Sequence, residues 1–265
     1  MELAFKQQLK SFIEQAIIED VQDGDHTTLA SLPEDKLGEA KLLVKDGGII
    51  AGVEVGVAIF KQIDETLEVN VLIQDGLEVK YGDIVLYVKG NIHSILKAER
   101  LVLNIMQRMS GIASRTAEFV KELEGTSTQV LDTRKTTPLL RFLEKRAVAI
   151  GGGVNHRFGL YDMILIKDNH VDYAGSISQA VNNAIQYKNQ KGIQIPIEVE
   201  IRNFSPEDVK KAVNLVGDRL VTEASGGITL STIRSYALSG VNYVSVGALT
   251  HSVKSLDLSL KAKLI

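Results

Sequence analysis

The 265-residue sequence contains no cysteine, which removes disulfides, thiolate nucleophiles and cysteine-ligated metal sites together. It also lacks any run of about 18 apolar residues, so no membrane-spanning helix is expected. The opening Met1-Glu2-Leu3-Ala4-Phe5-Lys6 leads into an amphipathic stretch and not an apolar one, unlike a secretory signal. A cytoplasmic location is the resulting expectation. Net charge is only −3, which gives no electrostatic footprint for nucleic acid. Neither a Walker-type loop nor a G-x-G-x-x-G fingerprint occurs. The five histidines show no ligand-like pairing, so no protein-held zinc is expected.

What is present is ordinary in bulk and uneven in detail. Hydrophobic residues make up 45% and charged residues 24%, enough apolar material for a sizeable core. Phe5, Leu9, Phe12, Ile13, Ala16 and Ile17 recur at helical spacing and predict a first helix over about 5–20. From Gly38 to Gly90, β-rich runs punctuated by Asp-Gly turns surround a helical segment at 53–63. A long helix is expected over about 93–123, interrupted near Gly111. Arg100, Asn104, Gln107, Arg108 and Gly111 share one polar face of it, which on pattern alone reads as solvated.

Beyond Ser127 the rhythm becomes short apolar strands alternating with helices. Strands are expected at 129–133, 163–167, 195–201, 220–224 and 243–247, with helices at 139–148, 176–187, 206–216 and 230–238. Such βα repetition implies a parallel sheet or barrel, with functional groups at the C-terminal strand ends. Those ends carry Asp132-Thr133-Arg134-Lys135, then Asn155-His156-Arg157 after three glycines, then Lys167-Asp168-Asn169-His170. Glu198 and Glu200 project to one face of a strand by their spacing of two. If the ends converge, Arg134, Lys135, His156, Arg157 and Lys167 form a basic nest for an anion. Taken singly, Arg134 or Lys135 is more ordinarily a surface ion-pair member. Lys167 at the end of an apolar strand must find a counter-charge. Ser225-Gly226-Gly227 and the segment around Gly247 each follow a strand and precede a helix, as phosphate cradles do.

These segments resemble the quinolinate phosphoribosyltransferase (nicotinate-nucleotide pyrophosphorylase) family. The matching stretches are EDVQDGDHTT, AERLVLNIMQRMSGIAS, LDTRKTTP, GGGVNHRFGL, LIKDNH, EVE, EASGGI and SVGALTHS, in family order from residue 19 to 252. The resemblance implies an α/β fold: an N-terminal α/β sandwich over 1–108 and an open α/β barrel over 109–250. The tail, 251–265, would return to the first domain. It implies transfer of a phosphoribosyl group from phosphoribosyl pyrophosphate, carried with Mg2+, to quinolinate, with decarboxylation to nicotinate mononucleotide. Arg134, Lys135, His156, Arg157 and Lys167 would hold the dicarboxylate, and Arg100 would reach a neighbouring subunit's site in a homodimer or larger assembly. Glu200, Ser225, Gly226, Gly227 and Gly247 would hold the phosphoribosyl group. Lys135, Glu200 and Lys167 would form the catalytic set, with no resident metal and no covalent nucleophile.

In one respect the chain departs from the family pattern. A further βα unit normally follows the Glu-Val-Glu strand, ending in Leu-Asp-Asn with a ribose-contacting aspartate. Here Glu200 runs directly into 201–205, and a unit on the order of 20–30 residues is missing. The alternatives are a catalytically impaired relative or a paralogue acting on another anionic ring acid. A lysine Schiff-base aldolase using Lys167 rests on fold analogy alone.

Overall fold

The computed structural model describes residues 2–200, 204–217 and 221–263. By contacts the chain divides into two compact units. The first joins Met1–Arg115, Phe142–Gly151 and Val253–Ile265; the second joins Thr116–Arg141 and Gly152–Ser252. The contact division falls at 115/116 and also assigns 142–151 to the first unit, whereas the expected boundary is a single one at 108/109.

The first unit begins with helix α1 (Leu3–Val21), which buries Leu9 and Ile13 on one face. A short α2 (His26–Ser31) follows, because Asp25 accepts a hydrogen bond from the Thr28 amide as an N-cap. The capping cluster that the sequence marks as a break therefore also starts a helix. Strands β1 (Leu37–Val44), β2 (Gly48–Ile49), β3 (Glu68–Val71), β4 (Glu78–Val79) and β5 (Ile84–Asn91) surround α3 (Val53–Ile63). Strict alternation along β1 sends Ala40, Leu42 and Val44 into the core. Residues 92–122 form one continuous helix, α4 (Ile92–Glu122).

The expected interruption near Gly111 is absent; a single glycine costs a long helix only about 1 kcal/mol. Gly111 serves packing instead. A Cβ there would collide with the Lys254 carbonyl oxygen and lie 3.0 Å from the Ser255 Cα. The last strand, β11 (Leu258–Lys263), pairs antiparallel with β1, giving a four-stranded sheet in the order β11-β1-β5-β3. This pairing ties the tail to β1.

Polar residues of α4 are also used in this unit. Gln107 donates to the Leu258 carbonyl at 2.9 Å, and Arg108 pairs at 2.9 Å with Glu144, which is buried on α5 (Arg141–Ile150). The stripe is not a solvated face at these two positions. Arg100 is exposed.

The second unit is parallel α/β. Its strands are β6 (Gln129–Leu131), β7 (Ile164–Ile166), β8 (Ile197–Val199), β9 (Glu223–Ser225) and β10 (Tyr243–Ser245). Between them lie α6 (Asp168–Ala174), α7 (Ile177–Lys191), α8 (Pro206–Val216) and α9 (Ile233–Ala237), and α10 (Ala248–His251) follows β10. Helix α8 starts where Ser205 caps the Asp208 amide and Pro206 takes the first turn, as the sequence indicates. Helix α6 was not foreseen; Lys167-Asp168-Asn169-His170 reads as a strand end, but the His170 ring accepts from the Lys167 amide and starts a helix there.

The strands form two parallel ribbons, β6-β10-β9 and β7-β8. Among the described residues no ladder joins β8 to β9, and only α8 lies between them in the chain. The expected site of the lost βα unit falls at this break. Of the 201–205 stretch, residues 201–203 lie outside the described residues. Among the described residues no helix is long and apolar enough to cross a membrane.

Candidate active site

Five strand ends of the second unit line one cavity of about 700 Å³. Its walls carry Arg134, Lys135, His156, Arg157, Lys167, Glu200, Ser225, Gly226, Gly227 and Gly247, every cavity residue expected from sequence except Arg100, which sits exposed on α4 and is not among them. Glu198, Glu223, Ser245 and His251 line it as well.

The basic side is built by backbone-fixing contacts. Asp132, wholly buried after β6, accepts the His156 amide at 2.8 Å and so fixes the loop that presents His156 and Arg157. Arg141 donates to the Thr136 hydroxyl at 2.9 Å and to the Phe158 carbonyl at 3.0 Å, tying the Arg134 segment to the Arg157 segment. Asp162 accepts from the amides of Phe158 and Gly159 at 2.6 and 2.9 Å. Asp132, Arg141 and Asp162 are positioning residues that sequence reasoning passed over. LDTRKTTP and GGGVNHRFGL contain or adjoin them, but nothing in their spacing shows what they bind.

Arg134 is close enough to Arg157 to disfavour the Arg157 charge. Burial and then the Arg134 guanidinium push the Arg157 pKa down, although a guanidinium stays protonated in water. The Nε atoms of both arginines are buried without a hydrogen-bond partner. Buried donors are normally paired, and two repelling cations with orphaned donors fit an anion between them.

On the opposite side Glu200 lies between Lys167 Nζ at 3.1 Å and Ser225 Oγ at 3.0 Å. Lys167 thus finds the counter-charge its position demanded. The following loop has Gly226 and Gly227 at φ +101° and +64°, a left-handed pair that glycine adopts without strain. At Gly247 an added Cβ would come within 3.0 Å of the Lys135 side chain and 3.1 Å of the His251 ring. The Thr250 hydroxyl donates to the Lys135 carbonyl at 2.8 Å.

Between the two sides, His156 Nε2 is 3.0 Å from a Glu198 oxygen and 3.6 Å from a Glu223 oxygen. The three ligand-type atoms lie within 4.8 Å of one another. With the imidazole nitrogen already bonded to Glu198, the trio is an ion-pair network. Burial, and next the Glu198 charge, pushes the Glu223 carboxyl from its ordinary value near 4.5 up to about 7. Sequence spacing alone could not bring residues 156, 198 and 223 together.

Nearly the whole chain matches known proteins. The family model "Quinolinate phosphoribosyl transferase, N-terminal domain" matches residues 25–110, and its C-terminal counterpart matches 112–204 and 198–261. The chain belongs to the quinolinate phosphoribosyl transferase family. The two C-terminal matches meet at 198–204, where β8 ends and the expected unit is missing.

Among curated members of the family, quinolinate phosphoribosyltransferase [decarboxylating] 1b of Nicotiana tabacum is 42% identical over 288 residues, covering 96% of this chain and 82% of that protein. The probable nicotinate-nucleotide pyrophosphorylase [carboxylating] of Bacillus subtilis is 41% identical over 276 residues, covering 97% and 94%. Both alignments are longer than the 265-residue chain and so must open gaps in it. The solved NadC of Streptococcus pyogenes superposes with a TM-score of 0.90 at 36% identity, covering 96% of this chain and 97% of that one.

Proposed function

We propose that this member of the family joins quinolinate to the phosphoribosyl group of phosphoribosyl pyrophosphate, releasing pyrophosphate and carbon dioxide and forming nicotinate mononucleotide. One observation carries the reading: Arg134 and Arg157, mutually repelling and each with an orphaned buried Nε, stand in the same cavity as the glycine loops after β9 and β10. A dicarboxylate satisfies the arginines, with each charge-assisted bond contributing roughly 1.5–3 kcal/mol. A phosphate suits the exposed amides of Ser225–Gly227 and the Gly247 turn.

The chemistry follows from the substrates. The pyridine nitrogen attacks C1 of the ribose as the bond to pyrophosphate breaks, through a transition state with positive charge on the sugar. Glu200 offsets that charge while Lys167 and Ser225 hold its carboxylate in place. The new pyridinium accepts the electron pair left at C2 as the 2-carboxylate departs as carbon dioxide, and a proton from water then fills that position. Lys135 faces the dicarboxylate with the arginines, and the Gly247 turn holds the leaving phosphates. Magnesium would arrive on the pyrophosphate and be held by its oxygens, where it would offset the charge of the leaving group. The same reading makes the enzyme cytoplasmic and dimeric, with Arg100 of one copy completing the dicarboxylate site of the other.

Arg157→Ala tests the assignment. It is expected to raise the quinolinate KM about a hundredfold, the loss of one to two charge-assisted bonds, and the phosphoribosyl pyrophosphate KM less than threefold. Equal loss of both would contradict it. A second reading, an impaired relative, is favoured by the break between β8 and β9, where the family's ribose-binding aspartate is missing. Turnover of quinolinate with release of pyrophosphate would remove that reading.

A further inference from the structure

Two carboxylates converge on one imidazole nitrogen in the cavity, and only one can accept its proton. The loop that carries His156 is fixed where its backbone amide donates to Asp132. Glu198 reaches Nε2 from β8 at 3.0 Å, and Glu223 approaches the same atom from β9 at 3.6 Å. Glu223 is the more enclosed of the two, with its side chain 15% exposed against 24% for Glu198. The groups facing it are Glu198 and Glu200 at the end of β8, His156 on its loop, and the Ser245 hydroxyl of β10, which is hydrogen-bonded to it. No cation beyond His156 is among its principal neighbours. Two anions on one nitrogen in a half-enclosed pocket repel, and the arrangement is relieved when the more buried one holds a proton.

We propose that Glu223 is a positioning residue that, acting through His156, makes the cavity's affinity for the acid substrate depend on whether its own carboxyl is protonated. With the proton on Glu223, His156 is bonded to Glu198 alone and its region of the cavity carries one negative charge less. An anionic ring acid then enters against the arginines without meeting a second free carboxylate. Loss of the proton adds a negative charge beside the substrate's carboxylates and gives the imidazole a second partner competing with the substrate. Burial places that change near pH 7, inside the range where an enzyme works. The inference rests on the function proposed above for the substrate, but its structural half does not.

The test compares wild type with Glu223→Gln, nearly the same shape and unable to ionise, at pH 6 and pH 8. At pH 6 the two should bind quinolinate alike. At pH 8 the variant should show a quinolinate KM at least tenfold lower than wild type, since a unit charge even about 12 Å away at an effective dielectric of about 20 changes binding by a factor of about ten. The phosphoribosyl pyrophosphate KM should differ less than twofold at either pH. Glu223→Asp, which keeps an ionisable group, should restore a pH-dependent gap. In the ligand-free protein, the pH profile of the His156 ring resonances should differ between wild type and Glu223→Gln. A ratio of KM values that is the same at both pH values, or a His156 titration unchanged by the substitution, would overturn the proposal. Absence of quinolinate turnover by wild type would instead defeat the proposed reaction, and the His156 titration would still decide the coupling.

Discussion

Ser225 donates a hydrogen bond to Glu200 at 3.0 Å across the interval where, among the described residues, no strand ladder joins β8 to β9. A side-chain contact thus links the ends of β8 and β9. It also holds one oxygen of Glu200 while Lys167 holds the other.

Removing that link should act on one substrate. Ser225→Ala takes a hydroxyl from a charged acceptor, a loss of about 1.5 kcal/mol at the low end. The phosphoribosyl pyrophosphate KM is expected to rise about tenfold, with the quinolinate KM within twofold. Steady-state kinetics with each substrate varied in turn decides it; an effect confined to the acid would place Glu200 in the wrong subsite.

Asp132 offers a separate handle on the acid side. Its carboxylate is fully buried and accepts the His156 amide, so Asp132→Ala leaves a buried N–H without its acceptor, at a cost of about 1–3 kcal/mol. The expected result is a lower melting temperature and a quinolinate KM raised at least fivefold, because the loop bearing His156 and Arg157 loses its anchor. A variant that melts earlier but keeps its quinolinate KM would show the anchor to be purely structural.

The raised Glu223 carboxyl has a consequence for stability. In the unfolded chain it ionises near 4.5, and in the folded protein near 7. The folded state therefore holds this proton more tightly, and the associated stability is present below pH 4.5 and lost as pH rises through 7. The span of about 2.5 units corresponds to at most about 3 kcal/mol. Relative to Glu223→Gln, wild type should lose stability across that window and become level above it. Urea unfolding of both proteins at pH 4.5, 6 and 8 measures the difference; a gap that does not change with pH would contradict the shift.

Gly111→Ala probes the first unit alone. The new methyl would strike the backbone of Lys254 and Ser255, which cannot turn aside as a flexible side chain could. Against a gain in helix propensity of about 1 kcal/mol, overpacking should cost more, roughly 1–3 kcal/mol net. Thermal melting is expected to fall by several degrees. An unchanged or higher melting temperature would mean that the β11 segment yields easily.

Much of this was legible from local pattern. Runs of β-formers between Asp-Gly turns marked the strands around α3, and apolar spacing marked the helix at 206–216, because these signals lie within a few residues of the structure they cause. Cavity-lining residues were legible for a different reason: a parallel sheet puts strand ends at one edge, so Asp132–Lys135, His156–Arg157, Lys167 and Glu200 had somewhere to meet. What escaped was pairing at long separation. Nothing in residues 156, 198 and 223 announces that they share one nitrogen, and Arg141 looks like any first-turn arginine until Thr136 and Phe158 are seen around it. The polar side chains of Gln107 and Arg108 were misread as solvated because their partners, Leu258 and Glu144, lie 151 and 36 residues away. Gly111 was misread as a break, since glycine signals either freedom or close approach and the sequence does not say which.

The most direct test of the whole account is a dual-product assay on the purified chain with quinolinate and magnesium phosphoribosyl pyrophosphate. Carbon dioxide and pyrophosphate should appear in equal amounts, only when both substrates are present, and Arg157→Ala should nearly abolish both at low quinolinate. Pyrophosphate released without carbon dioxide, or no product at any quinolinate concentration, would contradict it.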